Sequence, residues 1–214
     1  MSLDVSPPVL YSFRRCPYAR RARLAILASG VSVELREIVL QQKAPEFLAS
    51  SPKGTVPVLV TPTVVIEESF DVMLWALERS DPEGWLAMPE AGYDWIARCD
   101  GPFKTALDHT KYAVRYPDLD PEQERGRAAE FLADLDLQIA GSDWLFGPKC
   151  TLADMAIVPF VRQFANSDRS WFDAQPWPNL QRWLSGFLAS DRFAAIMTKY
   201  PKWQAGDRPG VPWL

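Results

Sequence analysis

The chain has 214 residues, of which 48% are hydrophobic and 23% charged, and its formal net charge is -4. This length suits one large domain or two small ones with packed cores. The negative charge argues against nucleic acid as the main partner, because phosphate binding requires a basic surface. No apolar run reaches the ~20 residues of a membrane span, and the first residues lack a signal-peptide pattern. We therefore expect a cytoplasmic protein without a membrane partner.

Three cysteines and one histidine limit the possible chemistry. Cys16, Cys99 and Cys150 form no CxxC pair and no metal-ligand spacing, which argues against a disulfide framework or a structural metal site. His109 is the single histidine, which excludes a multi-histidine metal site, and its helical surroundings indicate a structural residue. The sequence therefore predicts no metal cofactor.

The first eighty residues alternate between strand and helix patterns. Strands are predicted at 9–13, 31–40, 56–60 and 64–66, and helices at 17–29, 45–50 and 69–78. Pro17 suits the first position of a helix because it lacks the N–H that would be unpaired there, and Gly30 suits the C-terminal end of that helix. The order βαβαββα predicts a small α/β domain over residues 7–80.

The pattern changes after residue 80. The turn-forming segment Asp81-Pro82-Glu83-Gly84 predicts a linker, and we find no convincing strand beyond it. Helices are predicted at 89–116, 121–140, 151–166 and, in one or two pieces, 178–200. Thr151 and Asp154 have the spacing of a capping box, in which both side chains bond the first free N–H groups of a helix. The fold class is therefore α/β followed by all-α, with residues 88–214 forming an all-helical domain.

Cys16 is the best candidate for a reactive group, because it lies where the first strand ends and a helix begins. The partial positive charge of a helix N-terminus favours a thiolate over a thiol. Five arginines are expected to add a local positive field: Arg14, Arg15, Arg20, Arg21 and Arg23. The alternative is a small buried cysteine beside a solvated arginine face. Ala19 stands where a second cysteine could resolve a disulfide, so a Cys16 adduct would need an external thiol.

The sequence Cys-Pro-Tyr-Ala at 16–19, followed by Arg-Arg-Ala-Arg-Leu-Ala, resembles the start of cysteine-type glutathione transferases, above all the omega class. Further motifs follow in the order found in that family: Lys43, 27 residues after Cys16; Val56-Pro57, 13 residues later; Glu68-Ser69, 12 residues after Val56; and Thr-Leu-Ala-Asp at 151–154. The resemblance covers nearly the whole chain. It implies a thioredoxin-like first domain, a helical bundle as the second, glutathione as co-substrate and a homodimer.

The resemblance also implies roles for these residues. Pro57 would be cis and would expose the Val56 backbone to the cysteinyl residue of glutathione. Ser69 and a helix N-terminal N–H would bind the γ-glutamyl carboxylate and Glu68 its ammonium, while Lys43 would pair with the glycyl carboxylate. Each residue also has a plain structural explanation: an edge-strand proline, a helix cap with a nearby acid, and a solvated lysine. Candidates for a second-substrate pocket, which are equally compatible with core packing, are Tyr112, Arg115, Tyr116, Trp171 and Phe172.

The implied reaction is glutathione-dependent thiol–disulfide exchange through a Cys16–glutathione mixed disulfide. Its second substrate would be a small electrophile or disulfide, such as a dehydroascorbate-type molecule or an S-glutathionyl adduct. Two alternatives remain open. One is a conventional conjugating transferase that uses Ser12 or Tyr11, and the other is a non-enzymatic partner-binding protein of the same fold.

Overall fold

The computed structural model describes residues 7–204, 206–207 and 211–213. The chain forms two compact units, one of Met1–Glu83 with Asp191–Leu214 and the other of Gly84–Ser190. Residues 191–214 therefore group with the first unit, whereas the sequence-based division places them with the helices of the second. Within the described residues, no helix is both long and apolar enough to cross a membrane.

The helices and strands follow the chain in the predicted βαβαββα order and continue as helices. They are β1 (Val9–Ser12), α1 (Pro17–Ser29), β2 (Val33–Glu37), α2 (Pro45–Ser50), β3 (Val58–Val60), β4 (Val65–Ile66), α3 (Ser69–Leu77), α4 (Ala91–Arg98), α5 (Lys104–Lys111), α6 (Pro121–Gln138), α7 (Leu152–Ala165), α8 (Arg169–Asp173), α9 (Pro178–Leu188), α10 (Asp191–Ile196) and β5 (Val211–Trp213). The predicted fold class, a thioredoxin-like α/β unit followed by an all-helical one, is confirmed.

The first unit is built on a five-stranded sheet in the order β4-β3-β1-β2-β5. β1 pairs in parallel with β2 and antiparallel with β3, while β4 and β5 extend the two edges antiparallel. A parallel pair needs a crossover connection, which α1 supplies between β1 and β2. β1 is thus a central strand, and its end delivers the chain to the turn before α1.

β5 shows that the expectation of no strand beyond residue 80 is wrong. Val211 pairs with Leu35 and Trp213 with Val33, so β5 covers the outer edge of β2. The indole N–H of Trp213 also donates to the Tyr200 hydroxyl at 3.0 Å. β5 is only three residues long and contains a proline, which weakens a strand pattern in sequence. An edge strand tolerates Pro212 because a position that faces away from the sheet needs no N–H to donate.

α1 is buried on nearly all sides, with eleven of its 13 residues buried. It begins at Pro17 and ends at Gly30, as predicted. Gly30 adopts the left-handed conformation (φ 69°), and its N–H donates to the Ile26 carbonyl at 3.1 Å. Cys16 is the N-cap residue directly before this largely buried helix.

The second unit is helical, but one predicted helix is interrupted. The stretch predicted at 89–116 divides into α4, a π-helical turn at Cys99–Phe103, α5 and a short 3₁₀ turn at Ala113–Arg115. Pro102 lies inside the π-helical turn and lacks the N–H that a regular α-helix would use there. The short helix α8 was not predicted, because five residues give too little periodicity to detect.

The predicted capping box at the start of α7 is present and is part of a larger buried network. One oxygen of the fully buried Asp154 carboxyl accepts the Thr151 N–H at 2.9 Å and the Thr151 hydroxyl at 2.8 Å. The other accepts the Leu145 N–H at 3.0 Å and the Trp183 indole N–H at 3.2 Å. Burial raises the pKa of Asp154 above its ordinary value, against the opposing effect of these hydrogen bonds. Asp154 thus ties the start of α7 to the preceding loop and to α9.

Candidate functional site

A cleft of about 510 Å³ lies in the first unit, where α1 and α3 begin. Its volume falls within the range of small-molecule sites. It is lined by Cys16, Tyr18, Leu40, Lys43, Lys53, Gly54, Thr55, Val56, Pro57, Glu67, Glu68 and Ser69. The structure therefore brings together in one cleft all six residues that the sequence selected in the first domain.

Cys16 is the N-cap residue of α1 and is half-buried. Its N–H closes the preceding turn on the Phe13 carbonyl at 2.9 Å, and its own carbonyl accepts the Arg20 N–H at 3.1 Å. The thiol lies 3.7 Å from the Val56 carbonyl oxygen, to which it donates a weak hydrogen bond. The sulfur is thus held at the positive end of a helix dipole and beside the backbone of the cis-proline segment.

The hydroxyl groups of β1 are engaged away from the cleft lining. Ser12 is completely buried, and its hydroxyl accepts the Arg23 Nε–H at 2.8 Å. Tyr11 is 2% exposed, and its hydroxyl accepts from Arg36 at 2.8 Å. Neither residue lines the cleft, so neither is placed to activate a bound thiol there.

Three of the five arginines around Cys16 are buried, so these three do not form the solvated arginine face that was the alternative interpretation. None of the five lines the cleft as described, and Arg20, Arg21 and Arg23 are at most 3% exposed. The fully buried Arg23 pairs with Glu37, and burial lowers its pKa below the ordinary value despite that carboxylate. Arg15, in contrast, is exposed, and a positive field of the arginines at Cys16 stays a prediction.

Two hydrogen bonds to the Arg14 backbone hold the turn before Cys16. The Arg14 N–H donates to the Glu37 carboxylate at 2.7 Å, and the Arg14 carbonyl accepts the Arg20 Nε–H at 3.0 Å. Glu37 also binds Arg23, whose guanidinium donates to the Ile196 carbonyl of α10 at 3.1 Å. The turn before Cys16 is therefore held through both backbone polar groups of Arg14.

The segment before β3 forms the next wall of the cleft. The Val56–Pro57 peptide is cis, as the resemblance implies. Gly54 has φ +62°, and a Cβ at this position would lie 3.0 Å from the Lys43 ammonium nitrogen and 3.2 Å from a Leu48 methyl. Glycine is thus favoured there by its left-handed conformation, while the flexible ends of Lys43 and Leu48 would have to shift for a larger residue.

The start of α3 supplies the acidic side of the cleft. Ser69 is 4% exposed and is the first residue of α3, so the free N–H groups of the helix begin beside it. Glu67 accepts a hydrogen bond from the buried Ser51 hydroxyl, and Glu68 forms an ion pair with Lys53. The hydrogen bond to Glu68 raises the pKa of Lys53 above its ordinary value.

Sequence reasoning missed several lining residues. Tyr18, Leu40 and Glu67 were passed over, as were the three residues directly before Val56 (Lys53, Gly54 and Thr55). Four of these residues could have been found from their position next to a recognised motif: Lys53, Gly54 and Thr55 directly precede Val56-Pro57, and Glu67 directly precedes Glu68. The ion pair of Lys53 with Glu68 had no signal, because it joins two segments that only the fold brings together.

The second-substrate candidates all belong to the second unit. Tyr112 ends α5, and the Arg115 guanidinium lies 4.6 Å from the centre of its ring. Trp171 lines a separate cleft of about 450 Å³ within this unit, and the Arg125 guanidinium lies 4.8 Å from the centre of the Trp171 ring. Tyr112 and Arg115 are not among the described lining residues of that cleft. A substrate role for Tyr112, Arg115 and Trp171 stays a prediction.

The remaining candidates are accounted for by packing. Phe172 is completely buried and is part of the core. Tyr116 packs its ring 4.4 Å from that of His109, whose Nδ1 lies 2.9 Å from the buried Glu124 carboxylate. His109 is thus a structural residue of the helical unit. Among the described residues, no group of three or more His, Cys, Asp or Glu side chains could hold a metal ion.

Known proteins resemble this chain over most of its length. Residues 10–84 match the family model of the glutathione S-transferase N-terminal domain, and residues 90–186 match that of the C-terminal domain. Glutathione S-transferase GstB of Escherichia coli is 26% identical over 156 residues, covering 64% of this chain and 71% of GstB. Maleylacetoacetate isomerase of Rattus norvegicus is 26% identical over 205 residues, covering 89% and 92%.

A solved structure shows the same fold. The glutathione transferase family member from Pseudomonas fluorescens pf-5, crystallised with two glutathione bound, superposes with a TM-score of 0.77 at 19% identity. The superposition covers 92% of this chain and 94% of that one. With both domain models matched in order, the chain belongs to the glutathione S-transferase superfamily, whose general activity is glutathione-dependent transfer.

Proposed function

We propose that this chain is a glutathione-dependent thiol transferase in which Cys16 is the nucleophile. The observation that carries the proposal is that the Cys16 thiol lines the cleft at the start of α1, whereas the hydroxyls of Ser12 and Tyr11 are buried and hydrogen-bonded elsewhere. A thiol in this position forms a disulfide with glutathione more readily than it activates the thiol of glutathione.

The charges and free backbone groups of the cleft suit glutathione, which has two carboxylates and one ammonium group. Lys43 is a cation for the glycyl carboxylate, and the N-terminus of α3 with Ser69 suits the γ-glutamyl carboxylate. Glu68 is an acceptor for the ammonium, and the Val56 backbone suits strand-like pairing with the cysteinyl residue. In the proposed binding mode, the ligand's sulfur faces Cys16.

The reaction proceeds by two exchanges at sulfur. The Cys16 thiolate attacks the glutathione sulfur of a mixed disulfide, forming a Cys16–glutathione disulfide and releasing the other thiol as a thiolate, which takes up a proton. A second glutathione, as its thiolate, then attacks the bound glutathione sulfur. The products are oxidised glutathione and the Cys16 thiolate, so the enzyme returns to its starting state. S-Glutathionyl adducts and dehydroascorbate-type oxidants are the proposed substrate class. An oxidant of the second kind would first add glutathione at a carbonyl group; when Cys16 attacks the sulfur of that adduct, the carbon–sulfur bond breaks and its electron pair leaves with the reduced product, which takes up a proton.

The test is glutathione-dependent reduction of a small mixed disulfide, run beside an aromatic-halide conjugation assay. Wild type is compared with Cys16→Ser and with Tyr18→Phe, which removes a hydroxyl that lines the same cleft. We expect reduction in wild type and Tyr18→Phe and none in Cys16→Ser. Mass spectrometry of wild type after exposure to oxidised glutathione should find one added glutathione on the peptide that contains Cys16.

Two results would contradict the proposal. If Cys16→Ser keeps or gains conjugation while wild type shows no reduction, the protein is a conjugating transferase with another activating group. If both assays are silent and glutathione does not bind, the fold serves a non-enzymatic role.

The proposal also includes a homodimer in the cytoplasm, as the sequence resemblance implies. Sedimentation equilibrium at micromolar concentration tests the assembly directly. A mass near the 24.2 kDa of one chain would contradict the homodimer, and it would leave the chemistry at Cys16 unaffected.

A further inference from the structure

Lys53 and Glu68 form an ion pair inside the cleft lining. Among the described residues, four charged side chains line the cleft, and of the other two only Glu67 is a carboxylate. Glu67 accepts the hydroxyl of the completely buried Ser51, and the Lys43 ammonium approaches the backbone at Gly54. Glu68 is therefore the carboxylate available to a ligand's ammonium group, and Lys53 is its partner when no ligand is bound.

We infer that Lys53 determines selectivity at this cleft by neutralising Glu68, so that the site accepts acidic γ-glutamyl-type thiols with or without the ammonium group. The inference rests on the proposed glutathione site. A ligand that lacks the ammonium would normally bury the Glu68 carboxylate without a cation, which weakens binding. Lys53 supplies that cation from the protein.

The same ion pair works against a ligand that carries the ammonium. Two cations must then share Glu68, and the like charges repel one another. The side chains of Lys53 and Glu68 are 52% and 64% exposed, so the pair is held weakly and a ligand can displace Lys53. Removing Lys53 should therefore favour the ammonium-bearing ligand over its deaminated analogue. This differs from the simple loss of a positive charge, which would weaken the binding of both anionic ligands.

The experiment measures two ligands against wild type and four variants by titration calorimetry. The ligands are S-methylglutathione and its deaminated analogue, in which a glutaryl group replaces the γ-glutamyl group; neither has a thiol, so Cys16 chemistry does not interfere. The variants are Lys53→Met, Lys53→Gln and the charge-preserving Lys53→Arg. Lys149→Met is a matched control, because Lys149 is an exposed lysine outside the cleft lining.

The readout is the ratio of the Kd of the deaminated ligand to the Kd of S-methylglutathione, which isolates the coupling between Lys53 and the ammonium group. We expect this ratio to rise about fivefold in Lys53→Met and Lys53→Gln, as befits an exposed ion pair, and to stay near wild type in Lys53→Arg and Lys149→Met.

Two results would overturn the inference while leaving the glutathione site intact. One is that neither Kd changes in Lys53→Met and Lys53→Gln, so that the ratio stays as in wild type. The other is an equal weakening of both ligands, which would make Lys53 a carboxylate-binding residue. If wild type binds neither ligand, the proposed glutathione site fails and the inference fails with it.

Discussion

Replacing Asp154 by alanine should strongly destabilise the helical unit. The substitution leaves four hydrogen-bond donors without their acceptor: the N–H groups of Leu145 and Thr151, the Thr151 hydroxyl and the Trp183 indole N–H. A buried donor without a partner costs about 1 to 3 kcal/mol. The simple sum overstates the loss, because the hydroxyl can rotate, water can enter the gap, and the cost of burying the carboxyl is recovered. We expect the free energy of unfolding to fall by about 3 to 5 kcal/mol.

The measurement is urea denaturation followed by tryptophan fluorescence, supported by thermal melts. At about 2 to 4 °C per kcal/mol for a chain of this size, Tm should fall by roughly 6 to 20 °C. Thr151→Ala is the matched control, since it removes one hydroxyl and one cap contact and should cost about 1 kcal/mol. A loss below about 1 kcal/mol in Asp154→Ala would refute the reasoning, because it would mean that the four donors find other partners at no cost.

Three further predictions concern pH, the turn before Cys16 and the hydroxyls of β1. Because the folded-state pKa of Asp154 is raised, the carboxyl holds its proton better in the folded than in the unfolded chain. The stability advantage of wild type over Asp154→Asn should therefore shrink as pH rises from about 4 through that pKa. Urea titrations at several pH values measure this advantage, and an increase with pH would contradict the prediction. Glu37→Ala leaves the buried Arg23 without its carboxylate and should lower the free energy of unfolding, measured by urea denaturation, by about 3 to 5 kcal/mol. Glu37→Gln keeps an acceptor for the Arg14 N–H and should lose less. Equal losses in the two variants would refute a stabilising role of the hydrogen bond from the Arg14 N–H. Ser12→Ala should keep at least about half of the disulfide-reducing activity and lose about 1 kcal/mol of stability, and abolished activity in a folded variant would return Ser12 to the list of nucleophiles.

Local signals allowed much of the first unit to be predicted. Pro17 and Gly30 define the ends of α1 because each acts on its own backbone, through a missing N–H and a left-handed conformation. Cys16 was selected from its position between a strand and a helix. The other cleft residues, including Val56-Pro57 and Glu68-Ser69, were selected through the resemblance to the family, and they line the same cleft because they lie where elements of the fold begin.

Features that depend on distant partners were not predictable. From the sequence, Arg23 is expected at the surface, as most arginines are. In the structure it is buried because Glu37 of β2 and the Ile196 carbonyl of α10 bind its guanidinium. β5 is a strand because β2 offers it an open edge, and nothing in Val-Pro-Trp itself indicates a strand. Lys53 and Glu68 meet because two loops converge, and neither loop contains a pattern that indicates the other.

The return of the chain's last segment to the first unit means that this unit is discontinuous in sequence, with the helical unit inserted within it. During synthesis, residues up to Glu83 leave the ribosome long before α10 and β5 exist, so the outer edge of β2 must wait unpaired while more than a hundred residues are added. Arg23 also waits for the Ile196 carbonyl, and the Glu37 carbonyl for the Trp203 N–H. A gene fragment that ends after the linker at residues 81–84 would therefore encode an incomplete sheet. Exchanging the first unit between homologues requires moving both ends of the gene together.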